Sequence, residues 1–310
     1  MDTLLYFVVR VLIAVLQSLP LKWVARLGRA GGALFYVIDA RHRKVALKNL
    51  RRCFSAEKSE QEICALAKEN FRRIGENYSC AIKTATMSLE ELKGHIEFAS
   101  AEKFLPKAGE LPKKFVVAIG HFGNFELYAR FGQFMPVFKT ATTYRGLRQP
   151  SLNRLMQSMR ERSGCEFFER RTDASALKLA MSRPGIILGL LADQHAGNSG
   201  LRIPFFGHDC STSAAPVVFA LRYHCPLLTA FCYRVGPAQW RLEAGEEIPT
   251  HQNGKPRSAE AVMDDVNRAF ENAIRRDPAN WFWVHNRWKP RTAKTRASRI
   301  QTALEIENGR

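Results

Sequence analysis

The sequence lacks the paired cysteine motifs that hold metal ions or redox centres. Its seven cysteines are scattered along 310 residues, and no two of them have the CxxC spacing. A disulfide framework or a structural zinc site would need regular spacing, so the pattern argues against both. It is typical of reduced thiols in a cytoplasmic compartment, and we expect no metal and no cofactor.

The sequence also lacks an apolar run long enough for a clean membrane span. The first run, from Leu4 to Leu16, has thirteen residues and contains Arg10, whereas a spanning helix takes about 20 apolar residues. The basic start and small-residue cleavage site of a signal peptide are missing too. Apolar residues interleaved with cations over 4–38 predict a membrane-associated helical segment, residues 1–40, lying in the interface. The alternative is a helix hairpin in the core of a soluble protein.

Acidic residues are scarce relative to basic ones. The chain has 29 Asp and Glu against 47 Lys and Arg, a formal net charge of +18. Such an excess predicts an anionic partner, which could be nucleic acid, a lipid surface or an acidic protein. Neither a basic recognition helix nor strand aromatics occur, so we expect no nucleic acid. The basic run at 41–52 directly follows the apolar segment and favours an anionic membrane surface.

Apolar periodicity predicts the fold class. Residues 1 to about 100 have helical spacing, with Ser55 and Ser88 as candidate N-caps. Strand-type runs separated by helix-like segments then follow at 115–119, 137–143, 165–168, 185–191 and 226–233. This alternation predicts an α/β fold with a mostly parallel sheet flanked by helices. An edge strand is expected at 239–248, and a long helix should end near Asp277.

These patterns divide the chain into three parts. Residues 1–40 form the predicted membrane-associated segment, and residues 41–290 form the α/β domain with its helical N-terminal part. Residues 291–310 are predicted to be a basic tail, because this stretch is poor in apolar residues.

The stretch AIGHFGNFELYAR, residues 118–130, carries the candidate chemistry. Ligands of open α/β sheets bind beyond the carboxyl ends of the strands, and His121 directly follows a predicted strand. Asn124 is a candidate N-cap and substrate contact, which places Glu126 in the first turn of the next helix. A carboxylate that fixes the imidazole tautomer would make His121 a general base with Glu126 as its orienting partner. The alternative is structural, with His121 closing a strand and Glu126 suiting a helix dipole.

Further candidates follow the neighbouring strands. Arg145 could contact a phosphate or an oxyanion, because arginine suits bidentate contacts with such groups; a surface ion pair is the alternative. Asp193 and Gln194 follow the strand at 185–191 and are predicted substrate contacts, with turn capping as the alternative. A metal site around His195 is not expected, since no ligand spacing repeats.

Aromatic residues near these candidates leave two further alternatives open. The sequence PFFG, residues 204–207, predicts a turn whose rings line a pocket or pack in the core. Trp281, Trp283 and Trp288 suit either an interfacial belt or a buried lid.

Several blocks in this order resemble one protein family. GHFGNFE at 120–126 resembles the H-x4-D/E motif of the glycerolipid acyltransferase superfamily. Together with four further blocks it is similar to the late lauroyl and myristoyl acyltransferases of lipid A biosynthesis. These blocks are RKVALKNLRRCF, TTYR, LADQHAG followed by LRIPFFGHDCSTSAAPVVFALR, and WFWVHNRWK.

The resemblance implies an O-acyltransferase of lipopolysaccharide biosynthesis. It implies an acyl-carrier-protein thioester as the donor, a hydroxyl of a membrane glycolipid as the acceptor, and the cytoplasmic face of the inner membrane as the location. The shared blocks leave the acceptor open, because related acyltransferases act on other glycolipids. A non-enzymatic basic membrane-binding protein and a metal hydrolase are the remaining alternatives.

Overall fold

The computed structural model describes residues 2–106, 109–147 and 149–290. The basic tail predicted at 291–310 lies outside the described residues, and the predicted division into three parts stays a prediction. Helices dominate the first part of the chain: α1 (Asp2–Ser18), α2 (Leu21–Ile38), α3 (Ala40–Phe54), α4 (Glu60–Thr84) and α5 (Leu89–Lys93).

Capping boxes start two of these helices. Ser88 accepts a hydrogen bond from the backbone N–H of Glu91 at the start of α5, as the sequence predicted. The other predicted cap was wrong, because Ser55 lies at the C-terminal end of α3. Ser59 caps α4 instead, four residues later, through a reciprocal pair with Glu62.

The middle and end of the chain alternate between strands and helices. The strands are β1 (Ile96–Ala99), β2 (Phe115–Ile119), β3 (Lys139–Tyr144), β4 (Glu166–Glu169), β5 (Ile186–Leu191), β6 (Leu201–Phe205), β7 (His208–Thr212), β8 (Leu227–Gly236), β9 (Gln239–Ile248), β10 (His251–Gln252) and β11 (Lys255–Pro256). The helices are α6 (Phe131–Phe134), α7 (Pro150–Glu161), α8 (Ala174–Ala180), α9 (Ala215–Arg222) and α10 (Ala259–Arg276). Short 3₁₀ helices span Ala101–Phe104, Phe125–Arg130 and Pro278–Asn280.

Seven strands form the central sheet in the order β1-β9-β8-β2-β5-β3-β4. The five strands from β8 to β4 are parallel, which confirms the predicted mostly parallel α/β architecture. The predicted edge position of β9 was wrong: β9 runs antiparallel to β8 and is covered on its other side by β1. No strand was predicted at β1, because its four residues follow a helical segment without a change in apolar pattern.

Helices α1 and α2 bury one face and expose the other. Ile13, Leu16, Leu21 and Val24 are buried. Large apolar side chains are exposed on the opposite faces: Leu5, Phe7, Val8, Val11, Leu12, Val15, Trp23, Leu27, Leu34, Phe35, Val37 and Ile38. Among the described residues, no helix combines the length and the apolar character that crossing a membrane requires.

Helices α2 and α4 pack with their backbones in contact. A Cβ atom added to Gly32 would lie 2.1 Å from the Phe71 carbonyl oxygen, and one added to Gly75 would lie 2.1 Å from the Gly28 oxygen. The buried Glu76 carboxylate reinforces this contact through ion pairs with Arg29 of α2 (3.2 Å) and Arg234 of β8 (2.8 Å). The helical segment is therefore joined rigidly to the sheet.

We expect Gly32→Ala to lower the free energy of unfolding by about 1–3 kcal/mol, the usual cost of overpacking. The neighbouring Gly31 is the matched control, since no atom lies within 4 Å of its added Cβ. Gly31→Ala should stabilise the protein by up to about 1 kcal/mol, the helix-propensity difference. Urea denaturation of the two purified variants makes the comparison, and equal stabilities would contradict the close contact.

Candidate active site

The register of two neighbouring strands brings the candidate residues together. In the parallel pair β2 and β5, Ile119 lies opposite Leu191. His121 and Asp193 each follow two residues later, so both leave the sheet at the same point of its carboxyl edge. Local sequence patterns predict both residues at strand ends, but only the strand order shows that these strands are neighbours.

The carboxylate of Asp193 orients the His121 imidazole. Asp193 Oδ1 lies 2.9 Å from His121 Nδ1, and its Oδ2 accepts a hydrogen bond of 2.9 Å from the His121 backbone N–H. The indole N–H of Trp281 donates to the same Oδ2 over 2.8 Å. An ionised carboxylate can only accept hydrogen bonds, so Nδ1 carries the proton and Nε2 is left as a base.

Asp193 stays ionised although it is fully buried. Burial alone would raise its pKa, but the adjacent His121 and the hydrogen bonds from His121 and Trp281 outweigh that effect and hold the pKa at about 2. The pair therefore has the arrangement of a general base with its orienting carboxylate.

Glu126 does not take the orienting place that sequence analysis gave it. Its carboxylate forms an ion pair with Arg160 of α7, with 3.1 Å between Arg160 Nε and Glu126 Oε2. The segment after Asn124 forms a 3₁₀ helix rather than the predicted α-helix, and the side chain of Asn124 makes no capping hydrogen bond. Local spacing alone could not show this, because the carboxylate that bonds His121 belongs to Asp193, which lies 72 residues away in the sequence.

The other predicted contacts fall in different places. Gln194 lies beside the candidate base, with its Nε2 3.4 Å from His121 Nε2. Arg145 is exposed and lines the same cavity as His121. The buried Asn124 faces α4, where its Nδ2 donates to the Thr84 hydroxyl over 3.4 Å, and it is absent from the lining of that cavity. The predicted substrate contact through Asn124 therefore has no support in this geometry.

Glycine is required in the loop that presents the base. Gly123 has φ +53°, and a Cβ atom there would lie 2.4 Å from the Cys232 carbonyl oxygen. This close approach lets Gly123 N–H donate to the Asn280 carbonyl oxygen over 3.2 Å. The loop is thus fixed against the segment that carries Trp281.

A largely apolar cavity of about 610 Å³ extends from His121 along one face of the sheet. Small and aliphatic side chains of the strands form its floor, among them Val117, Ile119, Gly189, Ala230 and Ala244. Phenylalanines form part of its wall, namely Phe98, Phe104, Phe125 and Phe131. The volume and lining are typical of a pocket for one small or elongated ligand.

The tryptophans after α10 support the site from inside the protein. Trp281, Trp283 and Trp288 are buried, so the interfacial belt considered for them was wrong. They pack with Phe205 and neighbouring aromatic rings of the β6–β7 hairpin. Of the two alternatives for the PFFG sequence, core packing is therefore correct, and the predicted turn is present between the two strands.

The role of Arg287 is not predicted by any local pattern in the sequence. Its buried guanidinium donates to the carbonyl oxygen of Gln194 over 3.0 Å, to the Thr212 hydroxyl over 2.8 Å and to the Ser211 carbonyl oxygen. These bonds tie the loop after β5 to β7, and burial lowers the pKa of Arg287. Only the arginine in the WFWVHNRWK block pointed to it.

The candidate base has no metal-binding surroundings in the part of the chain that the structure describes. No group of three or more His, Cys, Asp or Glu side chains in these ranges is placed to hold a metal ion. His195 N–H donates instead to His285 Nε2 over 2.9 Å. Burial lowers the pKa of His285 to about 4, which keeps this acceptor neutral.

Comparison with known proteins gives consistent matches. A family model described as bacterial lipid A biosynthesis acyltransferase matches residues 1–290. The lipid A biosynthesis palmitoleoyltransferase of Escherichia coli K12 and the lipid A biosynthesis acyltransferase of Shigella flexneri are each 24% identical over 284 residues, which covers 88% of this chain and 87% of theirs. The phosphatidylinositol mannoside acyltransferase of Mycolicibacterium smegmatis is 25% identical over 198 residues, 60% of either chain.

Proposed function

The chain belongs to the family of bacterial lipid A biosynthesis acyltransferases, and we propose that it transfers a fatty acyl group from an acyl-carrier-protein thioester to a hydroxyl of a membrane glycolipid. The observation that carries the proposal is the His121–Asp193 pair at an apolar cavity. A lipid A precursor is the proposed acceptor. Another glycolipid is the second candidate, because one relative is named for phosphatidylinositol mannoside.

The cavity suits the acyl chain of the donor. Its floor and much of its wall are apolar, and burying apolar surface stabilises a bound chain by about 25 cal/mol per Å². With the chain inside, the thioester carbonyl would stand near His121, where the cavity meets the carboxyl edge of the sheet. An acidic carrier protein would remain outside, attracted by the excess of positive charge on this chain.

In the proposed reaction, His121 Nε2 takes the proton of the acceptor hydroxyl as its oxygen attacks the thioester carbonyl carbon. The carbon–sulfur bond then breaks, and the carrier thiolate leaves with a proton from the imidazolium. Asp193 stabilises the imidazolium in between and keeps the ring in its reactive tautomer. A thioester is already activated, so the direct attack needs no covalent enzyme intermediate.

Two polar side chains are placed to handle the substrates. The Gln194 amide lies beside His121 Nε2 and would contact the attacking hydroxyl or the developing oxyanion. Arg145 is exposed at the cavity and would pair with an anionic group of the substrate. The Glu126–Arg160 ion pair also lines the cavity and would shape it rather than orient the base.

We also propose that α1 and α2 hold the enzyme on the cytoplasmic face of the inner membrane. The exposed apolar faces of both helices, with Arg10, Lys22 and Arg26 among them, suit a helix pair lying in a bilayer interface. The basic α3 follows directly and would contact anionic headgroups.

We expect His121→Ala to lower kcat by about 10²–10⁴-fold, the range typical of general-base catalysis. Asp193→Asn should lower kcat by most of the same factor. The kcat of the double variant should be only slightly below that of His121→Ala, because the two residues act as a unit. Acyl transfer by purified variants with matched circular dichroism spectra is the measurement.

Glu126→Gln serves as the comparison in the same assay. Its kcat should equal that of Arg160→Gln, since each substitution breaks the Glu126–Arg160 ion pair. If Glu126→Gln rather than Asp193→Asn proved non-additive with His121→Ala, the orienting role of Asp193 would be contradicted.

We expect Gly189→Leu to shift the enzyme towards shorter acyl donors. Gly189 lies two residues deeper than Leu191, about 7 Å farther from the His121 end of the sheet. A leucine there would project into the cavity and should lower kcat/KM for long-chain donors by about tenfold. Gly189→Ala is the matched control, because its Cβ would lie 3.4 Å from Ile119 Cδ1, an ordinary contact.

Competition between carrier-protein donors of different chain length, followed by mass spectrometry of the product, measures the preference. An unchanged preference in Gly189→Leu would place the acyl chain elsewhere.

We expect glutamate on the exposed faces of α1 and α2 to release the enzyme from membranes. Val11 is 64% exposed and Ile38 is 62% exposed, so Val11→Glu with Ile38→Glu should leave the fold intact. The loss of apolar burial should weaken partitioning into anionic liposomes by about tenfold or more. The control is Leu111→Glu, at a site that is 80% exposed outside these helices. Equal sedimentation of the parent, the double variant and Leu111→Glu with liposomes would refute the attachment.

A further inference from the structure

A second groove lies on the opposite face of the sheet, between α8 and α9. Successive residues of a strand point to opposite faces. Ile187 and Gly189 of β5 line the catalytic cavity, whereas Leu190 lines this groove. The groove has a volume of about 480 Å³ and is lined by further apolar side chains such as Phe168 and Leu177.

The groove and the catalytic cavity adjoin at the carboxyl edge of the sheet. Thr143, Arg170, Leu191 and Ser213 line both spaces. Thr143, Arg170 and Leu191 lie at the carboxyl ends of β3, β4 and β5, so the two spaces meet at the edge where His121 leaves β2. Ser213 follows the β6–β7 hairpin. A molecule lying in the groove could therefore extend a polar group towards the base.

Three cations surround the groove without carboxylate partners. Arg170, Lys178 and Arg222 are exposed, and none of them forms an ion pair within the described ranges. Two carboxylates also line the groove, but both are bonded within their own loop. Glu169 accepts from the Arg171 backbone N–H over 2.7 Å. Asp173 accepts from the Glu169 backbone N–H, also over 2.7 Å. The three cations outnumber these two carboxylates, so the groove keeps a net positive charge.

We propose that this groove binds the acceptor as an anionic lipid, with one acyl chain along the apolar floor and a phosphate among the three cations. The inference rests on the proposed acyl transfer, for which it supplies the second substrate site. The apolar floor favours a lipid over the carrier protein, whose acidic surface would need cations but no chain-sized apolar groove. The acceptor hydroxyl would then reach His121 across the shared edge of the sheet.

Photolabelling of the full chain with a diazirine-bearing phosphatidic acid tests the site without requiring turnover. Label should appear on peptides of α8 and α9. Diacylglycerol with the same chains should label these peptides far less, and inorganic phosphate should compete only weakly, because it lacks the chain. Equal labelling by both lipids, or full displacement by phosphate alone, would overturn the proposal.

Variants at exposed positions then separate this site from the catalytic cavity. Lys178→Gln with Arg222→Gln should weaken phosphatidic acid binding by about 25-fold, or about fivefold for each cation. Val218→Glu, at a groove residue that is 49% exposed, should weaken it as well by adding a negative charge. Arg171→Gln is the control, since this exposed cation does not line the groove.

Steady-state kinetics complete the test. The groove variants should raise KM for the lipid acceptor and leave KM for the acyl-carrier-protein donor unchanged. A raised donor KM with unchanged lipid labelling would make the groove a carrier-protein surface and overturn the proposal. Specific labelling together with no acyl transfer to any glycolipid would instead refute the proposed function and leave the lipid site standing.

Discussion

The in-register parallel pairing of β2 and β5 is the constraint on which the site depends. It sets Ile119 opposite Leu191, so that the two loops leaving the sheet bring His121 and Asp193 within hydrogen-bonding distance. A shift of one residue in this register would turn one of the two side chains away. The backbone hydrogen bonds inside the sheet thus determine which two loop residues meet at the site.

Burial of the Asp193 carboxylate gives this pair its electrostatic character. An isolated buried carboxylate would become neutral, but the adjacent His121 side chain, together with hydrogen bonds from the His121 backbone and Trp281, keeps it charged. The chain segment after α10 therefore has a direct role in the site, although it lies about 90 residues away in sequence. Arg287 adds to this by bonding the Gln194 carbonyl oxygen, so the start of the loop after β5 is held at two consecutive residues.

Much of the fold could be predicted from the sequence because its strands have strong local signals. The apolar runs at 115–119 and 185–191 correspond to β2 and β5 with at most one residue of difference. The short β1 carries no such signal and was missed. Likewise, the motif identified His121 correctly as a residue that follows a strand. It suggested Glu126 as the partner, because the spacing between nearby residues can be read from the sequence whereas the order of strands in the sheet cannot. The choice between Glu126 and Asp193 depends on tertiary contacts that no local pattern contains.

The backbone contact between α2 and α4 has a consequence for how the enzyme would stand on a lipid surface. Because Gly28, Gly32 and Gly75 place the two helix backbones in direct contact, and Glu76 pairs with Arg29 of α2 and Arg234 of β8, the helix pair and the sheet pack as one unit. On a bilayer contacted by α1 and α2, as proposed, the sheet would keep a constant tilt and His121 a constant height above the headgroups. An acceptor would then be selected by how far its hydroxyl stands from the membrane plane, a form of molecular ruler that needs no contact with the sugar itself.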